Sequence, residues 1–183
     1  ILFFFGVHWI KRHYVSDAEM QTLLKQVRGT TDAENDIDEK YKKKAPLLVI
    51  ANHTCYFDPV IALAECNECS IIARAGTENS PIIGALTRQL KCFYTGRGGI
   101  VEQMKERAKL YYEQDPDFKT RILVFPEATT SIGTHVLRFH EGSFRLGVPI
   151  QPMMIRFPYT SFNPCWSGLD DMPYFISLFS QFT

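Results

Sequence analysis

The stretch "LLVIANHTCYFDPVIALAEC", residues 47–66, places a histidine and an aspartate between a strand pattern and a helix pattern. Residues 47–51 form a short, continuous apolar run, which is typical of a strand buried on both faces. Asp58 can cap the helix that follows, and Pro59 fits the first turn of that helix. The stretch therefore predicts a strand, a turn that carries His53, and a helix.

The same alternation of strand and helix patterns continues along the chain. Further strands are predicted at 70–75, 91–95, 121–125 and 148–157, with helices at 80–90 and 99–115. This order indicates an α/β fold with a mostly parallel central sheet flanked by helices. Pro149 and Pro152 place the fifth strand at an edge or a bulge.

The chain divides into three predicted segments. Residues 1–15 form a membrane-associated N-terminal segment, 16–45 a polar helix and linker, and 46–183 an α/β domain. The apolar run 1–10 is too short to cross a bilayer, which needs about twenty residues, so it lies at the interface or ends a longer helix. A helix packed on the core is the alternative for that run.

Two features of the polar segment carry predictions. Ser16 or Asp17 can cap a helix that Gly29 ends. Four lysines at positions 40, 42, 43 and 44 suit an anionic membrane surface, although a solubilising loop explains them equally well.

Composition narrows the class of protein. Apolar residues make up 45% of the chain, and the formal net charge is zero, which argues against bulk binding to nucleic acid. The five cysteines are an odd number without a disulfide framework, so we expect free thiols and a reducing compartment. Cys66 and Cys69 form a C-x-x-C, but no second pair completes a zinc site, and packed thiols are expected.

Polar side chains follow several of the predicted strands. His53 and Asp58 follow the first strand, Arg97 the third and Glu127 the fourth, while Gln151 lies within the fifth. Because ligands bind beyond the carboxyl ends of strands in open α/β sheets, we expect these side chains to share one cleft.

The spacing of His53 and Asp58 favours a turn. On one continuous helix they would lie about 140° apart, so only a folded-back chain lets the carboxylate meet the imidazole. We predict that an Asp58 oxygen lies within about 3.2 Å of the ring, where it orients His53 as a general base. The alternative is that Asp58 only caps a helix and His53 is a packed surface residue.

Four blocks in order resemble the glycerolipid acyltransferase family. His53-Thr-Cys-Tyr-Phe-Asp58 resembles its His-x-x-x-x-Asp signature, and "CFYTGR" (92–97) its second block. "VFPEATTS" (124–131) is similar to its Phe-Pro-Glu-Gly-Thr block, and "VPIQPMMIRFP" (148–158) to its proline-containing fourth block. The segment from "FHEGSF" onward looks closest to the branch that acts on lysophosphatidylcholine and lysophosphatidylethanolamine.

The resemblance implies transfer of a fatty acyl group from acyl-CoA to the free hydroxyl of a lysophospholipid. His53 and Asp58 would be catalytic, Arg97 would hold the lipid phosphate, and Gly96 would let the backbone approach that anion. Glu127 would hydrogen-bond the glycerol portion or shape the cleft. Its neighbours Pro126 and Thr129 complete the substrate-binding set.

The resemblance also implies partners and a location. Acyl-CoA is a co-substrate, and neither a metal nor another cofactor is required. The partners are a lysophospholipid and a membrane phospholipid surface, with no nucleic acid, and a membrane protein complex is a further partner to consider. With the reducing compartment expected from the cysteines, the site would face that compartment from a membrane, and the organelle stays open between the endoplasmic reticulum and the mitochondrion.

The sequence departs from the family pattern after the glutamate, where Ala128 replaces glycine. A backbone φ above zero there would strain the alanine by about 1 kcal/mol or more. Thr95 and Gly96 also replace an apolar residue and an acid. These departures leave open a catalytically reduced, lipid-binding subunit of a larger membrane assembly. A separate alternative is a thioesterase-type hydrolase that uses Cys55 or Ser131, although neither residue lies in a nucleophile-elbow motif.

Overall fold

A parallel sheet lies at the centre of the chain. The structure is a computed structural model and describes residues 10–28, 38–66, 69–79, 83–96, 98–115, 117–159, 163–166, 173, 176, 177 and 180. The strands are β1 (Leu48–Ala51), β2 (Cys69–Ala73), β3 (Phe93–Tyr94), β4 (Arg121–Val124) and β5 (Ile150–Met153). The helices are α1 (Asp17–Arg28), α2 (Glu39–Lys42), α3 (Asp58–Glu65), α4 (Ile83–Gln89) and α5 (Ile100–Lys109).

The order of the strands is β3-β2-β4-β1-β5, and every pairing is parallel. The predicted α/β class is therefore confirmed. The edge position of β5 is confirmed as well, and it tolerates Pro152 because an edge strand has backbone groups without a ladder partner.

Alternate residues of the central strands face two apolar clusters. Leu48, Ile122 and Val124 pack with Met104 and Tyr111 on the side of α5. The intervening residues of β1 and β4 pack with Ala62, Cys66 and Cys69 on the side of α3. Because both faces of the sheet are covered, these strands read as continuous apolar runs. The two thiols lie in the second cluster, as the packing interpretation of the C-x-x-C predicts.

The chain leaves β1 and β4 toward opposite faces of the sheet. After β1 it enters α3 on one face. After β4 it reaches a 3₁₀ segment, Glu141–Leu146, whose Leu146 packs into the cluster on the α5 face. Adjacent parallel strands with diverging connections leave a crevice at their carboxyl ends, and this is where open α/β sheets bind ligands.

Several element boundaries differ from the predicted ones. Asp58 is the first residue of α3 and does not cap it, since Phe57 holds the N-cap position without a side-chain hydrogen bond. Helix α5 continues into one π-helical turn, Leu110–Gln114, which periodicity did not predict. The helix predicted from Ser16 is confirmed: Ser16 and Glu19 bond reciprocally as a capping box, with Ser16 N–H donating to the carboxylate at 2.8 Å.

The predicted N-terminal membrane segment is not supported. Residues 1–9 lie outside the described residues, and no helix among those described has the length and apolar character to cross a bilayer. Ile10 packs against a cluster formed by Cys55, Phe57 and Ile61. Arg12 makes a two-point ion pair with Glu65, with nitrogen–oxygen distances of 2.6 and 2.9 Å.

The lysine cluster is mostly engaged within the protein. Lys44 Nζ donates to the carbonyl oxygens of Tyr111, Asp115 and Phe118 at 2.6, 2.9 and 3.3 Å, which caps the end of the α5 region. Lys40 and Lys42 pair with nearby acidic side chains. The interpretation of these lysines as a membrane-facing group is therefore wrong for Lys44, whose ammonium group is committed to carbonyl oxygens.

We expect Lys44→Met to lower the free energy of unfolding by about 2 kcal/mol, because hydrogen bonds from a charged donor to three carbonyls are lost. Lys43→Met is the matched control, since Lys43 is exposed, and it should change stability by less than about 0.5 kcal/mol. Urea unfolding measures both. Equal midpoints for the two variants would contradict the capping role.

Candidate active site

The turn after β1 brings His53 and Asp58 together. His53 Nδ1 lies 3.0 Å from Asp58 Oδ2, within the predicted distance. The same carboxylate oxygen accepts hydrogen bonds from the backbone N–H groups of Thr54 and Cys55, the latter at 2.8 Å. Asp58 is fully buried, and the His53 side chain is about one-fifth exposed, so the ring alone reaches solvent.

The contact with Asp58 limits which nitrogen of the imidazole can act on another molecule. In the tautomer that carries its proton on Nδ1, the ring donates to Asp58 Oδ2, and the lone pair of Nε2 is then available to take a proton from another molecule. The ring is stacked on Phe125 with centroids 4.4 Å apart, which limits its rotation. An imidazole held in this way is suited to general-base catalysis.

Glu127 holds the backbone around His53. It is buried, and Oε1 accepts from the His53 N–H at 2.9 Å while Oε2 accepts from the Leu137 N–H at 2.8 Å. Ser131 N–H in turn donates to the His53 carbonyl at 3.0 Å. Oε1 therefore joins the turn after β1 to the loop after β4, and Oε2 holds that loop in its folded path.

Asn52, which no motif singled out, anchors the start of the turn. Its amide donates to the Ile155 carbonyl at 2.9 Å, and its oxygen accepts from the Ile155 N–H at 2.7 Å. The side chain thus continues the pairing of β1 with the chain after β5. The sequence contains no motif that predicts this contact, and it shows only that an asparagine directly precedes His53.

A groove of about 710 Å³ runs beside this turn. Its lining includes Thr54, Glu127, Ile132, Val136, Met154 and Cys165. Burial raises the pKa of the Cys165 thiol, so this group is neutral near pH 7 and a poor nucleophile. The groove has both apolar and polar lining residues, as small-molecule sites commonly do, and its lining includes Glu127 but neither His53 nor Asp58.

The remaining predicted site residues are not joined to His53 by hydrogen bonds in the part of the chain that the structure describes. Arg97 lies outside the described residues. Gly96 is exposed at the end of β3 with φ +84°, and Thr129 is exposed beside the buried Pro126. In the part of the chain that is described, no hydrogen bond joins Gly96 or Thr129 to His53, Asp58 or Glu127.

Gln151 does not belong to the cleft. Its side-chain oxygen accepts from the Arg121 guanidinium at the amino end of β4. The expectation that Gln151 joins the other polar groups is therefore wrong. A residue within an edge strand faces one side of the sheet, whereas the site lies beyond the strand ends.

The nucleophiles considered for a hydrolase are poorly placed. Cys55 is fully buried beneath the turn. Ser131 Oγ donates to the His53 carbonyl at 3.5 Å and accepts from the Gly133 N–H at 3.4 Å, both backbone groups. Among the described residues, no group of three or more His, Cys, Asp or Glu side chains is arranged to hold a metal ion.

Comparison with known proteins identifies the family. The family model described as Acyltransferase matches residues 32–156. The lysophospholipid acyltransferase LPCAT4 of Homo sapiens is 33% identical over 130 residues, which cover 68% of this chain and 24% of that protein. LPEAT2 of Arabidopsis thaliana is 27% identical over 188 residues, covering 100% of this chain and 29% of that protein.

A third relative, LPCAT4 of Xenopus tropicalis, is 36% identical over 121 residues, covering 63% of this chain and 22% of that protein. The chain belongs to the glycerolipid acyltransferase family, in the branch that contains the LPCAT and LPEAT proteins. It spans less than a third of the length of these three relatives. No solved structure matches the chain.

Ala128 adopts the backbone conformation that favours glycine. Its φ is +56°, and its N–H donates to the Phe125 carbonyl at 3.0 Å, closing a tight turn. From the sequence, alanine at this position is expected to be strained if its φ lies above zero, and the observed φ does. The turn reverses the chain directly after Glu127, which lets the loop return past that carboxylate.

We expect Ala128→Gly to leave stability unchanged or to raise it by up to about 1 kcal/mol, because glycine relieves the left-handed strain. Ala64→Gly, in the exposed part of α3, is the control and should cost about 1 kcal/mol. Both substitutions add the same freedom to the unfolded chain, so their difference in urea unfolding reports the strain. Equal losses in the two variants would show that Ala128 is unstrained.

Proposed function

We propose that this chain transfers a fatty acyl group from acyl-CoA to the free hydroxyl of a lysophospholipid, with His53 as the general base. The observation that supports this most directly is the 3.0 Å contact between His53 Nδ1 and a buried Asp58 oxygen. Relatives named as lysophospholipid acyltransferases support the class of acceptor.

In the proposed reaction the acceptor hydroxyl attacks the thioester carbonyl of acyl-CoA while His53 Nε2 takes the hydroxyl proton. The tetrahedral intermediate then collapses, the carbon–sulfur bond breaks, and the CoA thiolate leaves with the proton that the imidazolium returns. Asp58 stabilises the transient imidazolium and holds the ring in the productive orientation. No covalent acyl-enzyme is formed, so no cysteine or serine nucleophile is needed.

Glu127 is proposed to position the site rather than to contact the acceptor. Both of its oxygens already accept backbone hydrogen bonds, from His53 and Leu137. Of the two roles expected from the sequence, this arrangement favours shaping the cleft. Arg97 keeps its proposed role in holding the lipid phosphate, and Gly96, Pro126 and Thr129 keep theirs beside it.

The proposed setting is a membrane surface with the site facing a reducing compartment. The reducing compartment is proposed because the five cysteines are an odd number without a disulfide framework in the sequence. The second candidate is a lipid-binding subunit with reduced activity, and the observation that favours it is the left-handed φ of Ala128 directly after Glu127. An assay of acyl transfer separates the two.

We expect His53→Ala to reduce acyl transfer by at least about 100-fold, the lower range for removal of a general base. Asp58→Asn should cause a loss of similar size, and the double variant should lose little more, because the two groups act as a unit. The assay follows labelled acyl-CoA with lysophosphatidylcholine and lysophosphatidylethanolamine as acceptors.

His13→Ala is the control for this assay, since His13 is exposed on the N-terminal segment, and it should keep full activity. Equal rates for His53→Ala and the parent chain would leave the lipid-binding interpretation. Rapid release of free fatty acid without an acceptor would instead favour the hydrolase.

For Glu127→Gln we expect a kcat about 10- to 100-fold lower with an unchanged KM for the acceptor, because the variant shifts His53 without touching the substrate. The amide places an N–H₂ group against one of the two backbone donors, so the urea midpoint should fall as well. A raised acceptor KM at unchanged kcat and stability would show that Glu127 binds the acceptor directly.

A further inference from the structure

The loop after β4 exposes an unusual run of apolar side chains. Ile132 to His140 are all exposed, and Ile132, Val136, Leu137 and Phe139 have between 38% and 57% of their surface accessible. Phe144 follows at 41%, with its ring stacked on Phe139 at a centroid distance of 6.2 Å. We call Ile132–Phe144 the apolar loop. Exposed apolar patches of this kind mark sites of interaction.

The apolar loop is held in place from its inner side. Leu137 N–H donates to Glu127 at 2.8 Å, and His140 N–H donates to the Pro126 carbonyl at 2.9 Å. Ser131, just before the loop, donates to the His53 carbonyl. Backbone hydrogen bonds thus turn the loop toward the site, while the large side chains face away from the core.

The charges around the apolar loop are mostly positive. Between Ser131 and Gly147, the sequence has Arg138, Arg145 and two histidines but a single acidic residue, Glu141. Glu141 pairs with Arg145 at 3.3 Å on an exposed surface. Arg138 adds an exposed cation at the centre of the apolar run. Apolar side chains mixed with cations suit the interface of a bilayer that contains anionic lipids.

We propose that the apolar loop docks on a phospholipid bilayer with anionic head groups. The inference rests on the proposed function, in which the acceptor comes from a membrane. Ile132 and Val136 also line the groove, so a bilayer against the loop would adjoin the groove's edge. An acceptor could then pass from the bilayer into the groove without crossing bulk water.

Helix α1 offers a competing surface, with Met20 and Leu23 at 38% and 49% exposure. Over α1 as a whole, however, the two acids Asp17 and Glu19 offset the two bases Lys25 and Arg28, so the helix offers no net attraction to an anionic surface. The apolar loop has more large exposed side chains and the favourable charge. The two surfaces therefore provide a matched comparison.

The experiment measures partition of the full 183-residue chain onto vesicles of phosphatidylcholine, with and without phosphatidylserine. We expect the double variant Phe139→Gln/Phe144→Gln to lower the partition coefficient about tenfold, because two rings no longer enter the interface. The control double variant Met20→Gln/Leu23→Gln should bind like the parent chain. Neither phenylalanine lines the groove.

Arg138→Gln provides an independent test that does not alter the apolar side chains. It should weaken binding about fivefold to vesicles that contain phosphatidylserine and leave binding to phosphatidylcholine alone unchanged. Urea unfolding of every variant is the folding control: a variant that keeps a cooperative transition and stays folded under the binding conditions loses binding for a reason other than unfolding. An Arg138→Gln variant that binds both vesicles like the parent would contradict the anionic preference.

Three results would overturn the proposal. The phenylalanine variant could bind like the parent while the α1 variant loses binding, which would assign docking to α1. All variants could bind equally. The phenylalanine variant could instead convert a dimer to a monomer in light scattering with vesicle binding unchanged, which would assign the loop to a second copy of this chain.

Acyl transfer separates failure of this inference from failure of the proposed function. With a short-chain lysophospholipid that stays monomeric, the phenylalanine variant should match the parent, whereas with a vesicle-borne acceptor it should fall about tenfold with binding. Equal falls on both acceptors would contradict the docking role. If the parent chain transfers no acyl group at all, the proposed function fails, yet the vesicle comparison still decides the docking surface.

Discussion

One buried carboxylate oxygen, Asp58 Oδ2, organises the turn after β1. It accepts hydrogen bonds from the His53 ring and from the backbone N–H groups of Thr54 and Cys55. A carboxylate removed from water is costly unless such donors replace its hydration. The donors that stabilise the Asp58 carboxylate also set the path of the chain. The orientation of the His53 ring and the shape of the turn are therefore determined by the same hydrogen bonds. Oδ1 of the same group, although buried, has no hydrogen-bond partner among the described residues.

Two buried acids, Asp58 and Glu127, hold different parts of His53. Asp58 holds its imidazole, and Glu127 holds its backbone N–H. This division depends on topology, since β1 and β4 are neighbours in the sheet while their connections leave toward opposite faces. In the crevice between those connections, a residue that follows β1 can contact a residue that follows β4. A histidine held at two points loses freedom before any substrate binds, and this preorganisation favours catalysis.

Local patterns in the sequence predicted the strands, the helices and the His53–Asp58 contact, because burial and turn formation act over a few residues. The contacts that complete the site join residues far apart in the chain. Glu127 is 74 positions from His53, and Asn52 is 103 positions from Ile155. Such side-chain bonds to backbone groups leave no periodic signal in either segment. The error over Gln151 has the same origin, since proximity in sequence to a strand end does not decide which side of an edge strand a residue faces.

The hydrogen bonds of Glu127 explain why the strained backbone conformation of Ala128 is tolerated. A relaxed φ at that residue would turn the chain away from Glu127, and the Leu137 N–H would lose its acceptor. About 1 kcal/mol of backbone strain does not exceed the cost, about 1–3 kcal/mol, of leaving that buried carboxylate bond unmade. The surrounding contacts can therefore hold an alanine where glycine would fit without strain. In this way Glu127 joins the turn that carries His53 to the loop whose outer side chains face solvent, and the geometry of one constrains the other.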